Sequence, residues 1–156
     1  PHGFSPDWVV WQVGKGWQPD TVKPNIGSYD AIRVYLWAGM LADDDKHKAA
    51  LLKQLQPMAQ TTLTQGVPPE KTDTASGKTS GDGPVGFSAS MLPMLVNQPE
   101  ALQVQRQRIK QNPPGDNAYF SASLVLFGQG WDQQRYRFNR QGELQPSWGG
   151  QCVTSE

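Results

Sequence analysis

The stretch Ser28-Tyr29-Asp30-Ala31-Ile32-Arg33-Val34-Tyr35-Leu36-Trp37-Ala38-Gly39-Met40-Leu41 constrains the fold most. Ser28 is a good N-cap, and beyond Asp30 and Arg33 the run is almost unbroken apolar. A helix that is apolar all round must be covered on every side. Residues 46–63 read differently: Ala50, Leu51, Leu55, Met58, Ala59 and Leu63 recur at helical spacing, with Lys and Gln opposite. That helix is amphipathic and packs outside. Helical signals return over 87–96, over 99–111 with Pro99 in the first turn, and over 117–127. In the last of these Ala118, Phe120, Ala122, Leu124, Val125 and Leu126 read as buried, and Gly128 and Gly130 as the stop. Buried and amphipathic helices therefore alternate, as the inner and outer helices of an αα-barrel do, and the fold class is all-α.

Long loops separate these helices, as 16 Gly and 13 Pro require. Residues 4–27 alternate Pro, Gly and aromatics around Trp8-Val9-Val10-Trp11 and predict an irregular segment with one short extended or helical piece. Residues 66–86 are polar and too long for an idle connection, so a cleft-edge loop or mobile flap is expected. Tyr136 and Phe138 alternate before Asn139-Arg140-Gln141-Gly142, which predicts a small hairpin. The 156 residues fit one domain or a piece of a larger one. Pro1-His2-Gly3-Phe4 reads as interior loop, so a fragment or processed product is expected. Lys+Arg and Asp+Glu balance at 14 each, which leaves no net field to draw in nucleic acid or an anionic membrane. No apolar run approaches the roughly 18 residues of a membrane span. Cys152 is the single cysteine, which excludes an internal disulfide or a Cys-based zinc site.

Most motif candidates have plain explanations. Ser76-Gly77-Lys78-Thr79 resembles the end of a phosphate-binding loop, but Thr72 stands where that motif needs a Gly. Gly86-Phe87-Ser88-Ala89-Ser90 lacks the second Gly of a nucleophile elbow, so Ser88 reads as a cap or packing residue. His47 lies among Asp43, Asp44, Asp45, Lys46 and Lys48 at a helix start, where acidic residues meet the dipole, rather than in a metal site. Tyr29, Asp30 and Arg33 are more informative. With Ser28 as N-cap, Asp30 falls in the first turn, where free backbone N–H groups favour a carboxylate. Arg33, three residues on, can hold that carboxylate's orientation, and Tyr29 offers a hydroxyl. The plain alternative is a helix start with an i,i+3 ion pair. Burying such a pair at the head of an apolar helix would be costly without a use.

Gly27-Ser28-Tyr29-Asp30-Ala31-Ile32-Arg33 also resembles the segment that carries the catalytic base in family-8 glycoside hydrolases, the inverting endoglucanases, chitosanases and xylanases with an (α/α)6 barrel. With Pro6-Asp7-Trp8-Val9-Val10-Trp11, Gly83-Pro84-Val85-Gly86-Phe87-Ser88-Ala89 and Tyr119-Phe120-Ser121-Ala122-Ser123-Leu124, essentially the whole chain resembles the C-terminal part of those members that accompany bacterial cellulose synthesis in the periplasm. The resemblance implies that residues 1–156 are the C-terminal portion of one catalytic domain, half an (α/α)6 barrel with long loops and a small β-hairpin. It implies an endo-β-1,4-glucanase that hydrolyses cellulose with inversion, periplasmic or secreted, with no cofactor or metal. Asp30 would be the general base, positioned by Tyr29 and Arg33.

The family's general acid is a glutamate in the N-terminal half. Glu70, Glu100, Glu143 and Glu156 lie in no segment resembling its surroundings. Inversion needs two carboxyl groups about 6.5–9.5 Å apart. The resemblance therefore makes that N-terminal half the partner of this chain, β-1,4-glucan (cellulose) its substrate, and this chain alone inactive. Half a barrel should also expose an apolar flank of more than a few hundred Å². Glucan chains offer flat sugar faces to aromatic rings, so Trp8, Trp11, Trp17 and Tyr35 around the catalytic segment are the substrate-binding candidates. Trp37 is expected in the core, while Trp131 and Trp148 fall in C-terminal loops without assignment. Two other readings stay open: a non-catalytic carbohydrate-binding or structural half-domain, and an unrelated helical scaffold in which Tyr29, Asp30 and Arg33 only cap a helix.

Overall fold

The structure, a computed structural model, describes residues 2–147. The chain opens with an antiparallel hairpin of β1 (Val9–Gln12) and β2 (Gly16–Pro19). β3 (Ile26–Gly27) then leads into α1 (Ile32–Met40) and α2 (Lys48–Gln65). β4 (Pro69–Asp73) and β5 (Thr79–Asp82) follow, then α3 (Val85–Met91), a 3-10 turn over Pro93–Leu95, α4 (Pro99–Gln111) and α5 (Tyr119–Asp132). A last antiparallel hairpin joins β6 (Tyr136–Phe138) and β7 (Leu144–Pro146), where the sequence predicts one. Helices dominate, so the all-α expectation holds in outline but not in full. Three small antiparallel sheets accompany the five helices among the described residues.

The hydrophobic core follows the helical periodicity. In α1, Ile32, Tyr35, Leu36 and Met40 lie one or two turns apart and are each 1% exposed. Every residue of α3 after Val85 is buried, with Phe87, Ala89 and Met91 fully so. Burying a side chain of this size contributes about 1.5–3 kcal/mol. α3 packs against α5, α4 and α1, while α2 backs α1. α1, α3 and α5 thus take inner places and α2 and α4 outer ones. α4 begins at Pro99 with Glu100 in its first turn and ends with Arg108 and Lys110, matching the helix dipole at both ends.

Several expectations change. α5 runs through Gly128 and Gly130 to Asp132. A Cβ on Gly128 would lie 2.1 Å from the Ala89 carbonyl oxygen, so this glycine lets α5 cross α3 closely instead of ending the helix. Residues 66–86 are no flap. They fold as β4 and β5, which join β3 in one sheet, with Pro68 and Pro69 fully buried. The Gly83 N–H donates to Pro68 O at 2.8 Å, and the Arg108 guanidinium donates to Gly83 O at 2.7 Å and to Ser88 Oγ at 2.8 Å. Ser76-Gly77-Lys78 sits at the β4–β5 turn, where Asp73 Oδ1 accepts the N–H groups of Ala75 and Ser76, both at 2.9 Å. Trp131, expected in a loop, is in α5 and only 7% exposed, with the Arg137 guanidinium 4.0 Å above its ring. Trp37, expected in the core, is 47% exposed and leans on Phe127 and Phe138. α1 is therefore not covered all round: Val34 and Trp37 face outward, as do Phe120, Leu126 and Phe127 of α5. Trp148 and Cys152 lie outside the described residues.

Candidate active site

Ser28 does not cap α1 with its side chain. The helix starts at Ile32 after Ala31, which has nothing to cap with, and the Ser28 hydroxyl donates to Glu70 O on β4 at 2.6 Å. Strand pairing explains the difference: Ile26 and Gly27 face Asp73 and Thr72, which draws Ser28 to the sheet rather than to the helix. Asp30 accordingly sits in the turn before the helix, not in its first turn.

The free N–H groups of that turn are satisfied from far along the chain. Asp7 Oδ1 accepts from the N–H of Ser28 at 2.7 Å, of Ala31 at 2.8 Å and of Asp30 at 3.1 Å. Hydrogen bonds to an ionised acceptor are the stronger kind, and several onto one oxygen fix a peptide turn firmly. Asp7 is held in its own place, since its N–H donates to Ile26 O at 2.7 Å. Gly27 allows this closeness: a Cβ there would lie 2.1 Å from Ser5 O.

The turn displays two side chains. Asp30 accepts a hydrogen bond from the Arg33 guanidinium through Oδ1, and both side chains are partly open to solvent, 40% and 49% exposed respectively. One carboxylate oxygen is thus held by a cation while the group stays reachable by water. Tyr29 stands on an aromatic base, its ring 5.2 Å from Phe87 and 5.3 Å from Phe120, and is 44% exposed. The structure therefore brings Tyr29, Asp30 and Arg33 together.

The aromatic candidates divide. Trp11 and Trp17 are directly opposed across the β1–β2 hairpin, with ring centroids 5.2 Å apart in an edge-on arrangement, and are 60% and 68% exposed. Trp8, 60% exposed, follows Asp7 directly, so the tryptophan hairpin springs from the residue that holds the turn. Tyr35 is a correction. It is 1% exposed and its hydroxyl accepts the Ser5 N–H at 2.8 Å, so its ring has no face for a sugar. Burial pushes the Tyr35 hydroxyl up to about 12. Asp7 and Gly27 are the site residues that candidate selection from the sequence missed. Asp7 lies 21 to 24 positions from the groups that it binds, and no local spacing rule reaches that far.

The chain is similar to known proteins over nearly all of its length. Residues 1–134 match the glycosyl hydrolases family 8. An endoglucanase of Escherichia coli (strain K12) is 56% identical over 155 residues, 99% of this chain and 42% of that protein. An endoglucanase of Xanthomonas axonopodis pv. citri (strain 306) is 48% identical over 153 residues, 95% of this chain and 40% of that one. The chain spans less than half the length of these relatives. Among solved structures, an endo-1,4-D-glucanase from Vibrio fischeri ES114 superposes with a TM-score of 0.84 at 37% identity, covering 96% of this chain and 44% of the other. An endo-beta-1,4-glucanase from Acetobacter xylinum shares the fold at a TM-score of 0.53 and 24% identity. With the match running across β1 to α5 and including the turn that presents Asp30, this chain belongs to glycosyl hydrolase family 8.

Proposed function

We propose that the whole protein is an endo-β-1,4-glucanase that cleaves its glucan with inversion, and that this chain contributes the general base Asp30 and part of the substrate cleft. The observation that carries this reading is the Asp30 carboxylate, tied to Arg33 on one oxygen and partly open to water on a turn anchored from three directions. Inversion asks a carboxylate to take a proton from water as that water attacks the anomeric carbon from the face opposite the leaving group. Asp30 is the base, Arg33 fixes which oxygen points at the water, and Tyr29 borders the same place. The endoglucanase names of the relatives and the 1,4-glucanase in Vibrio fischeri support the substrate class.

Protonation of the departing oxygen requires a second carboxyl group, and the remaining length of the relatives leaves ample chain to provide it. That remaining portion would complete the domain by covering Val34 and Trp37 of α1 and Phe120, Leu126 and Phe127 of α5, apolar side chains that stand open here. The β1–β2 hairpin would offer Trp8, Trp11 and Trp17 to sugar rings. In the full-length protein Asp30→Asn should reduce turnover of a soluble β-1,4-glucan by about 10²–10⁴-fold while leaving oligosaccharide binding nearly unchanged. NMR of fresh wild-type digests should show the α-anomer first. Retained configuration, or wild-type turnover by Asp30→Asn, overturns the assignment.

A further inference from the structure

Arg33 acts on the Asp30 side chain, but something else must set where the Asp30 backbone stands. The turn at 28–31 has no cap of its own, because Ala31 precedes the helix and the Ser28 hydroxyl is committed to Glu70 O. Three of its N–H groups converge on the single oxygen Asp7 Oδ1. Among the described residues no cation pairs with Asp7, so its charge is spent on this turn. The Asp7 backbone is in turn fixed to Ile26 O, and two residues earlier the Ser5 N–H is fixed to the buried Tyr35 hydroxyl, itself rooted in α1. The Asp30 Cα is thereby tied to the helix core through residues 5–7, a route independent of Arg33.

We propose that Asp7 is a positioning residue for catalysis: its carboxylate holds the peptide groups on both sides of Tyr29 and Asp30 so that the base reaches its water at the right distance. This rests on the role of Asp30 proposed above. Asp7 touches neither water nor sugar in that scheme and exchanges no proton; it acts only through the backbone of the turn. Removing it frees the turn by a fraction of an ångström or more, and misplacements of about 1 Å can cost on the order of 100-fold in rate.

The test uses the full-length protein and three substitutions, Asp7→Ala, Asp7→Asn and Asp7→Glu, with Asp30→Asn beside them. Turnover number and KM on soluble β-1,4-glucan, the thermal midpoint, and deuterium exchange of the amides at 28–31 are measured. Asp7→Ala should lower kcat by about 100-fold with KM within about twofold, and exchange at 28–31 should quicken while α1 stays protected. Asp7→Asn keeps an accepting oxygen in place and should recover most of kcat. Asp7→Glu keeps the charge but moves the oxygen by one methylene, and should lose kcat without losing thermal stability. If Asp7→Ala yields no folded protein, the Asn and Glu variants carry the comparison alone. Wild-type kcat in Asp7→Glu or Asp7→Ala, with Asp30→Asn inactive, overturns the role of Asp7 and leaves that of Asp30 standing. Parallel loss of kcat and thermal stability in all three variants makes Asp7 merely structural and also overturns it. Full activity in Asp30→Asn instead removes the base on which the proposal rests.

Discussion

The turn at 27–31 and the hairpin at 9–19 are joined through Asp7 and Trp8, yet the fold treats them in opposite ways. The turn is gripped by a carboxylate, a strand partner, a backbone carbonyl that accepts the Ser28 hydroxyl and an aromatic base, and all of these come from distant parts of the chain. The hairpin packs mainly on itself, and every residue of β1 is exposed. Both carry aromatic side chains into solvent. The difference teaches that an aromatic residue's exposure says little until its support is known: Tyr29 rests on the core, whereas Trp11 and Trp17 rest on each other. The role proposed for Asp30 needs sub-ångström placement, which the gripped element can give. The sugar stacking proposed for the hairpin would tolerate more movement, so a free ribbon would suffice.

The comparison breaks most visibly in stability. Phe87→Ala removes a fully buried ring from beneath Tyr29 and should cost about 3–5 kcal/mol in chemical denaturation. Trp17→Ala should cost less than about 1.5 kcal/mol, mostly the pair energy with Trp11. Equal losses would mean that the hairpin is as much part of the core as the turn.

Alkaline titration sharpens the same contrast. The Tyr35 hydroxyl is pushed up to about 12, first by burial and then by the Asp7 charge, against the opposing Ser5 N–H. A group that holds its proton more tightly when folded stabilises the fold fully below its ordinary value of 10.0, and that contribution is lost as pH rises toward 12. The loss should be on the order of 2–3 kcal/mol, read as a falling denaturation midpoint between pH 10 and pH 12. Tyr136, also pushed up to about 12 by burial, adds to this window, so Tyr35→Phe should flatten the slope in part rather than abolish it.

On the hairpin side, Trp11→Ala and Trp17→Ala should each weaken binding of a β-1,4-linked oligosaccharide to the full-length protein by about tenfold, close to 1.4 kcal/mol by calorimetry. The kcat of the bound complex should stay within about twofold. A fall in kcat with binding intact would place these rings at the reacting bond instead of along the chain.

The smallest effect belongs just beyond β2. Asp20 accepts the N–H groups of Lys23 and Val22 at 2.9 and 3.0 Å, and these bonds hold its carboxyl below the ordinary 3.8. The local turn is therefore supported above pH 3.8 and released as pH falls through the lowered value. Amide NMR should show Val22 and Lys23 shifting together in that acidic range. Simultaneous movement of the α1 amides would contradict the hairpin's independence.

Local pattern carried much of this architecture. α4 was legible over 99–111, with Pro99 in its first turn, and the β6–β7 hairpin was legible from alternation around a turn. The pairing of Asp30 with Arg33 follows from their spacing of three, and the family resemblance of Gly27 to Arg33 pointed to the same place. What failed were judgements that depend on neighbours. Gly128 reads as a stop unless Ala89 is known to press against it, and Trp37 reads as core unless the open flank of α1 is seen. Tyr35 reads as a sugar platform until its ring is found buried and its hydroxyl accepting the Ser5 N–H.

The sequence by itself determined the alternation of helices, the ends of α4 and the proximity of Asp30 to Arg33, because each depends on interactions within a few residues. Only the tertiary structure decided which aromatics are buried, that residues 69–82 pair into strands, and that Asp7 holds the Asp30 turn. Apart from the β4–β5 pairs such as Thr72 with Thr79, those outcomes come from groups more than twenty residues apart, or from separate helices, meeting at single points. A hydrogen-bond donor left free by local structure is satisfied by whichever acceptor the folded chain brings near, and that acceptor's position in the sequence leaves no local trace.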